Sequence, residues 1–437
     1  MLGHPTLAVI TLVAVLSGGA AFAAQAGTDS PAPLTLEQAE TAALANQPKM
    51  LAAQLRARSS AERVREARAG YQPTVGFNAT GVRVADAGTS TAAGNITTSS
   101  VSDRFAYGGN LAQMVTDFGR TSALVNSAHA TAEAQADVAT LTRAQVRLNV
   151  REAYYQVLGA EAVLRAARAA LENRALVSRQ LSALAESELK STLDVNFAKV
   201  LQSEAELAVV RAESAVAQQR SHLATAMGLH KPMTSPLTDV PATADALPPA
   251  PDDLLAQSVL QRADLSAAQS RQKAAAEFAL SEKRLIYPTL NVLGAAGEVP
   301  FHDHTLHDNY AAAGFNLNIP IFNGGAFRAR QAQAELEANA RTQDTEELRL
   351  EVGEQVRDSW YRANEAYRSL DVTARLVAQS REALRLAQDR YDVGLGSIVE
   401  LNEAQLNETS AEITAADATY TYLSRRAELE YAAGLLN

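Results

Sequence analysis

Val150-Arg151-Glu152-Ala153-Tyr154-Tyr155 returns as Val356-Arg357-Asp358-Ser359-Trp360-Tyr361, at an offset of 206 (356 − 150). The same offset relates Thr116-Asp117-Phe118-Gly119 to Phe322-Asn323-Gly324-Gly325, Asp194-Val195-Asn196 to Glu400-Leu401-Asn402, and Gly228-Leu229 to Gly434-Leu435. Upstream, Pro48 to Gln54 matches Ala263 to Gln269, and Pro73-Thr74 matches Pro288-Thr289, at an offset of 215 (288 − 73). The chain is therefore a duplication. The first copy carries about nine extra residues between Pro73 and Thr116. Length changes collect in surface loops, so the Ala-, Gly-, Ser- and Thr-rich run from Ala85 to Ser100 reads as a loop tip.

Each copy reads as a helical segment, two strands and a very long helical hairpin. Residues 36–69 have helical composition behind Thr35, a candidate N-cap, and end at Pro73. From Thr74 to Thr80, Val75, Phe77 and Ala79 alternate with Gly76, Asn78 and Thr80. Phe105, Tyr107 and Leu111 share a face that Asn110 does not, and Phe315, Leu317, Ile319 and Ile321 alternate with Asn316 and Asn318. This is the period of a strand with one oily and one wet face. No proline lies between Pro73 and Pro232 or after Pro320. A helix of roughly 60 residues is about 90 Å long, more than a globular core needs. The expected boundaries are a first repeat over 34–230 (β-hairpin 74–116, helical hairpin 120–228), a linker over 231–252 with Pro and Ala enriched from Leu237, and a second repeat over 253–437 (β-hairpin 289–322, helical hairpin 326–434).

The apolar run Leu7 to Leu16, followed by Ala21-Phe22-Ala23, reads as a secretory signal peptide over 1–23. With aromatics at 5% of residues and hydrophobics at 47%, the apolar material is small and aliphatic, suited to close-packed helices. The absence of cysteine excludes disulfides, thiolate metal sites, a thiol nucleophile and an acylated N-terminal cysteine. A net charge of −10 argues against nucleic acid as a partner. No nucleophile elbow, phosphate-binding glycine loop or helical metal motif is present, so neither an enzyme nor a bound cofactor is expected.

Four amphipathic strands cannot close a transmembrane barrel, because the smallest use about eight. If these strands span a membrane, the wall is shared between chains, and three chains supply twelve strands above twelve long helices. The residues alone also permit a soluble helical protein with two hairpins, either a periplasmic coiled-coil adaptor or a structural protein without a pore.

The chain resembles the TolC-like outer membrane factor family. The residues that carry the likeness are Leu34-Thr35-Leu36-Glu37-Gln38-Ala39, Gln47-Pro48, Tyr71-Gln72-Pro73, Asp117-Phe118-Gly119-Arg120, Ala153-Tyr154-Tyr155, Arg262-Ala263-Asp264-Leu265, Tyr287-Pro288, Ile319-Pro320-Ile321-Phe322-Asn323-Gly324-Gly325, Arg390-Tyr391-Asp392-Val393-Gly394 and Glu400-Leu401-Asn402-Glu403-Ala404-Gln405. The resemblance implies an α+β membrane protein: a homotrimer with one 12-stranded transmembrane β-barrel in outer membrane lipid, standing on a 12-helix periplasmic α-barrel. It implies docking to a periplasmic adaptor and to an inner-membrane pump of the RND, MFS or ABC class, for efflux or type I secretion.

It also implies site residues. Glu400 and Glu403, three apart, would form the pore constriction. Tyr391 would tie the second hairpin to its neighbour, with Asp194 as the acidic partner on the first. The basic residue that some members carry between that tyrosine and those acids is Gly396 here, which leaves Lys190 as a substitute for the salt-bridge lock. Glu188 stands where the second tip has Gly394, so the two turns are expected to differ. His302, His304 and His307, with Asp303 and Asp308, have residue types that suit zinc or copper. Their expected place at the outer end of a β-hairpin favours a polar loop, so no metal centre is expected. Tyr71, Tyr107, Tyr287 and Tyr310, near strand ends, fit either an interfacial aromatic belt or ordinary packing.

Overall fold

The structure is a computed structural model that describes residues 33–83, 88–91, 98–101, 104–188, 191–240, 247, 250–301 and 307–437. The signal peptide expected over 1–23 lies outside these residues, as do 241–246 and 248–249 of the expected linker.

The first copy opens with α1 (Leu36–Asn46) and α2 (Pro48–Ala69). Thr35 and Gln38 form a capping box, each side chain accepting the other's backbone N–H. The single helical segment expected over 36–69 is thus broken at Gln47, whose ψ of 117° is extended. Pro48 favours the break, since its ring disfavours the α conformation in the residue before it. The second copy repeats the break between α5 (Asp252–Gln261) and α6 (Ala263–Lys283), where Arg262 has a ψ of 121° although no proline follows.

The strands are β1 (Thr74–Val82), β2 (Gly88–Thr91), β3 (Thr98–Val101), β4 (Arg104–Thr116), β5 (Thr289–Phe301) and β6 (Asn309–Asn318). The first copy therefore has four strands where two were expected. Within the run read as a loop tip, Thr- and Ser-rich β2 and β3 pair as a small ribbon, a backbone that β-branched threonine favours. The main sheet is antiparallel in the order β1-β4-β5-β6. In the second copy the alternation runs on to Ile321, but the strand stops at Asn318, because Pro320 has no N–H for a ladder.

The register separates two faces. Val75 pairs with Leu111, Leu111 with Gly294, and Val292 with Phe315, which puts Val75, Phe77, Leu111, Val292, Phe315 and Leu317 on one face. Asn78, Asn110, Asn291, Asn316 and Asn318 lie on the other, where Asn78 donates to Asn110 Oδ1 at 2.9 Å. The oily face is bare: Val75, Phe77 and Phe315 are 75%, 72% and 76% exposed. Among the described residues, neither the outer edge of β1 nor that of β6 has a partner.

Both strand-to-helix corners use two successive left-handed residues, Phe118 (φ 55°) and Gly119 (φ 89°), then Gly324 (φ 66°) and Gly325 (φ 86°). Holding phenylalanine there costs roughly 1–2 kcal/mol. The corner is secured by Asp117, which accepts the N–H groups of Gly119 at 3.0 Å and Thr121 at 2.6 Å. From these corners rise α3 (Arg120–Glu186) and α7 (Ala326–Asp392), each 67 residues and so about 100 Å long. They return as α4 (Thr192–Ala226) and α8 (Ile398–Ala432), each 35 residues. Helix α3 packs against α2, α4, α6 and α8. Among the described residues no helix is long and apolar enough to cross a membrane.

The returning helices end where the short helices break. Gly228 (φ 73°) and Gly434 (φ 79°) close α4 and α8, with Leu229 N donating to Ala224 O and Leu435 N to Glu430 O, both at 2.8 Å. Gln47 Nε2 donates to Thr225 O at 3.0 Å and to Ala226 O at 2.9 Å, and Arg262 Nη1 donates to Ala432 O at 3.2 Å. A strap between the copies lies on this junction. Leu34 bridges Leu237, and the fully buried Tyr154 donates from its hydroxyl toward Leu34 O at 2.8 Å and Thr238 O at 2.7 Å. Burial pushes that phenol up to about 12.

Two left-handed glycines, Gly228 at this junction and Gly394 in the turn between α7 and α8, make a paired test. A Cβ at Gly228 would lie 2.8 Å from Asn46 backbone atoms, whereas nothing lies within 4 Å of one at Gly394 (φ 77°). Gly394→Ala should cost about 1 kcal/mol of backbone strain, and Gly228→Ala distinctly more. Heat-inactivation rates of the two variants check this; equal effects would contradict the clash at the junction.

Candidate functional site: the hairpin tips

The far ends of the two helical hairpins meet in an apolar cluster. Leu181 from α3, Ala198 from α4, Ala387 from α7 and Ile398 and Leu401 from α8 are buried together, with Val195 and Tyr391 packed against them. Tyr391 is thus packed against a cluster that draws residues from both hairpins of one chain. Asp194 lies in the first turn of α4 next to Val195, where an acidic side chain suits the helix dipole. Among the described residues Asp194 forms no ion pair, and Lys190 lies outside them.

At the described residues the two tips match more closely than expected. Glu188 (φ 60°) takes the same left-handed conformation as Gly394 (φ 77°), and the flanking helices end and restart at matching positions. Glu188 bears the strain that glycine avoids.

In the second tip, Leu395 N and Gly396 N both donate to Arg390 O, at 2.8 and 2.9 Å. A Cβ at Gly396 would come within 3.1 Å of Tyr391 N and 3.2 Å of Arg390 Cβ, so the tight turn disfavours a long basic side chain there. The charge is supplied by Arg390, whose Nε lies 3.4 Å from Glu400 Oε1. The sequence reading had missed this residue. Its available signal was a lone cation in the last turn of α7 facing an acidic first turn of α8, both favoured by the helix dipoles. Glu400 opens α8 beneath Ser397, whose hydroxyl accepts Glu400 N at 3.1 Å. Glu403, one turn on, is exposed and forms no ion pair among the described residues. The two carboxylates therefore lie close together but differ: Glu400 is paired and Glu403 is not.

Of the histidine candidates, His302 and His304 lie outside the described residues, and His307 is exposed. Among the described residues no group of histidine, aspartate and glutamate is placed to hold a metal ion. Tyr310 is on the polar face of the sheet, not in an outer belt. A Cβ at Gly108 or Gly297 would meet its hydroxyl at 2.5 or 2.8 Å, so the ring lies across both glycines. Tyr107, on the oily face, donates to Glu298. Tyr287 is half exposed, with its ring 6.1 Å from that of Phe118 at the strand-to-helix corner.

The family model described as "Outer membrane efflux protein" matches residues 41–229 and 254–435, one match for each copy. The chain is 26% identical over 298 residues to the solvent efflux pump outer membrane protein SrpC of Pseudomonas putida, covering 66% of this chain and 62% of SrpC. It is 27% identical over 124 residues to the outer membrane protein TolC of Salmonella enteritidis, covering 28% of this chain and 25% of TolC. The matched parts thus span less than two thirds of either relative. The solved structure of the outer-membrane channel OprN superposes with a TM-score of 0.77 at 22% identity, covering 91% of this chain and 89% of that one. The fold is that of the TolC-like outer membrane channels. With both halves of a duplicated chain matched, the protein belongs to the outer membrane efflux protein family, a family of outer membrane channels and not of enzymes.

Proposed function

We propose that three copies of this chain form a passive export duct, with a shared twelve-stranded barrel in the outer membrane and a helical tube through the periplasm. One observation carries the reading: an open four-stranded sheet with a bare oily face and two unpaired edges is continuous, through two corners, with two helices of 67 residues. In lipid each unpaired backbone group costs several kcal/mol, so such a sheet must close against something. The helices carry matching edges. Leu193, Phe197, Val200 and Leu207 form an exposed stripe at heptad spacing on α4, and Leu336, Leu350, Tyr361, Val372, Leu376 and Leu386 form one along α7. Stripe against stripe and β6 against β1 join copies head to tail, a contact that closes into a ring.

Energy for transport must come from outside the duct, since the chain carries no nucleotide-binding motif. The family likeness supports a periplasmic adaptor and an inner-membrane RND, MFS or ABC pump as partners. The name of SrpC assigns solvent efflux to that relative; the cargo here follows from the pump this duct serves. A stand-alone periplasmic adaptor has no use for a lipid-facing sheet.

At the tip, three Glu403 carboxylates and three Glu400–Arg390 pairs would ring the inner mouth. Such a ring draws cations, with Glu403 as its unneutralised part. In planar bilayers the purified protein should conduct, and hexaamminecobalt(III) should block it. Absence of conductance would contradict the duct. Glu400→Ala with Glu403→Ala should weaken the block. Arg390→Ala frees Glu400 and should strengthen it by roughly two- to fivefold, because an exposed pair is worth up to about 1 kcal/mol. A block unchanged in both variants would remove the tip from the conduction path.

A further inference from the structure

A second concave site lies far from the tips, between α3, α4 and α8. It is a groove of about 470 Å³, within the range of small-molecule sites. Glu152 and Tyr155 from α3, Gln219 from α4 and Tyr420 from α8 line it. At Gly159 the Tyr420 ring lies directly against α3, 3.5 Å from where a Cβ would stand.

The polar groups in this groove are unevenly satisfied. Arg425 is held at 2.8 Å by both oxygens of Glu428, and the Tyr420 hydroxyl is hydrogen-bonded to Asp239 at 3.2 Å. Glu152, partly buried, forms no ion pair or hydrogen bond among the described residues. Burial, and next the Glu428 charge, hold its carboxyl above the usual carboxylate range against the pull of Arg425. The Gln219 side-chain oxygen is buried and lacks a hydrogen-bond partner. Glu152 therefore lines the cavity as an unpaired acceptor, and burying it in that state is costly. Asp417 is a third carboxylate in the lining. The rest of the lining includes Ala160, Val163 and Ala215.

We propose that this groove binds an organic ammonium ion of the primary or secondary amine class, its N–H groups donating to Glu152 and its hydrocarbon part against the apolar wall. The inference rests on the duct reading, which places the groove on the bore. Tyr154 points to the strap, Glu152 lies about 200° further round the same helix, and a strap inside the tube would obstruct it. Two tyrosines beside the cation add attraction from their rings.

Equilibrium dialysis of the full chain in detergent with 2-(1-naphthyl)ethylammonium should find one saturable site per chain. Glu152→Gln should weaken it at least about tenfold, the loss expected for a hydrogen bond to a buried charge. Ala160→Phe keeps the charge and fills the cavity, and should weaken it too. The neutral N-acetyl derivative should not compete. Undiminished binding in both variants, or equal binding of the amide, overturns the site. Bilayer conductance on the same preparation separates the failures: conduction without binding removes the groove and leaves the duct, whereas no conduction removes the duct on which the groove depends.

Discussion

The unpaired backbone along the edges of β1 and β6 is the constraint on which the rest depends. A strand edge in water can hydrogen-bond to solvent; in hydrocarbon it cannot. This sheet joins those edges to a face bearing Val75, Phe77, Val292 and Phe315, which belongs in hydrocarbon. The two demands conflict in a single chain and agree in a closed ring of chains. In the proposed ring the wet face, with its asparagines, lines the bore.

Below the sheet, duplication does mechanical work. Each copy must turn from a tilted strand into a helix of about 100 Å, bring a second helix back, and end it against its own short helices. Each does so with the same devices: paired left-handed residues at the corner, a left-handed residue at the tip, and a glycine stop docked on a helix break. The copies differ in chemistry more than in shape. Gln47 and Arg262 both donate to the last carbonyls of a returning helix, one as a neutral amide and the other as a guanidinium also held by Asp264. Arg151 adds charge at the same level, bridging Glu40 of α1 and Glu430 of α8, so the short helices are tied to both hairpins.

Much of this was legible in the sequence because repetition and periodicity are direct records of backbone geometry. The gapless offset between the copies survives in helices of identical length, and the alternation of Val75, Phe77 and Leu111 survives as the oily face. The readings that missed were those in which local chemistry competed with a single strong signal. Helical composition over 36–69 hid a break that Pro48 favours at Gln47. Alternation through Ile321 outran a strand that Pro320 stops. A glutamate, Glu188, where the second copy has Gly394 suggested a different turn, yet Glu188 is left-handed like that glycine. Arg390 escaped notice because its partner, Glu400, is ten residues away across a turn, a spacing that no helical or strand periodicity marks. The place of Glu152 in one groove with Gln219 and Tyr420 was equally invisible, since it joins the two arms of the first hairpin to α8.

The central claim is that one chain supplies only a sector of a closed wall. Native mass spectrometry of the detergent-solubilised protein, with far-ultraviolet circular dichroism on the same sample, tests it most directly. The account predicts a particle of three chains that retains its sheet signal. A monodisperse single chain with the same sheet content would contradict it.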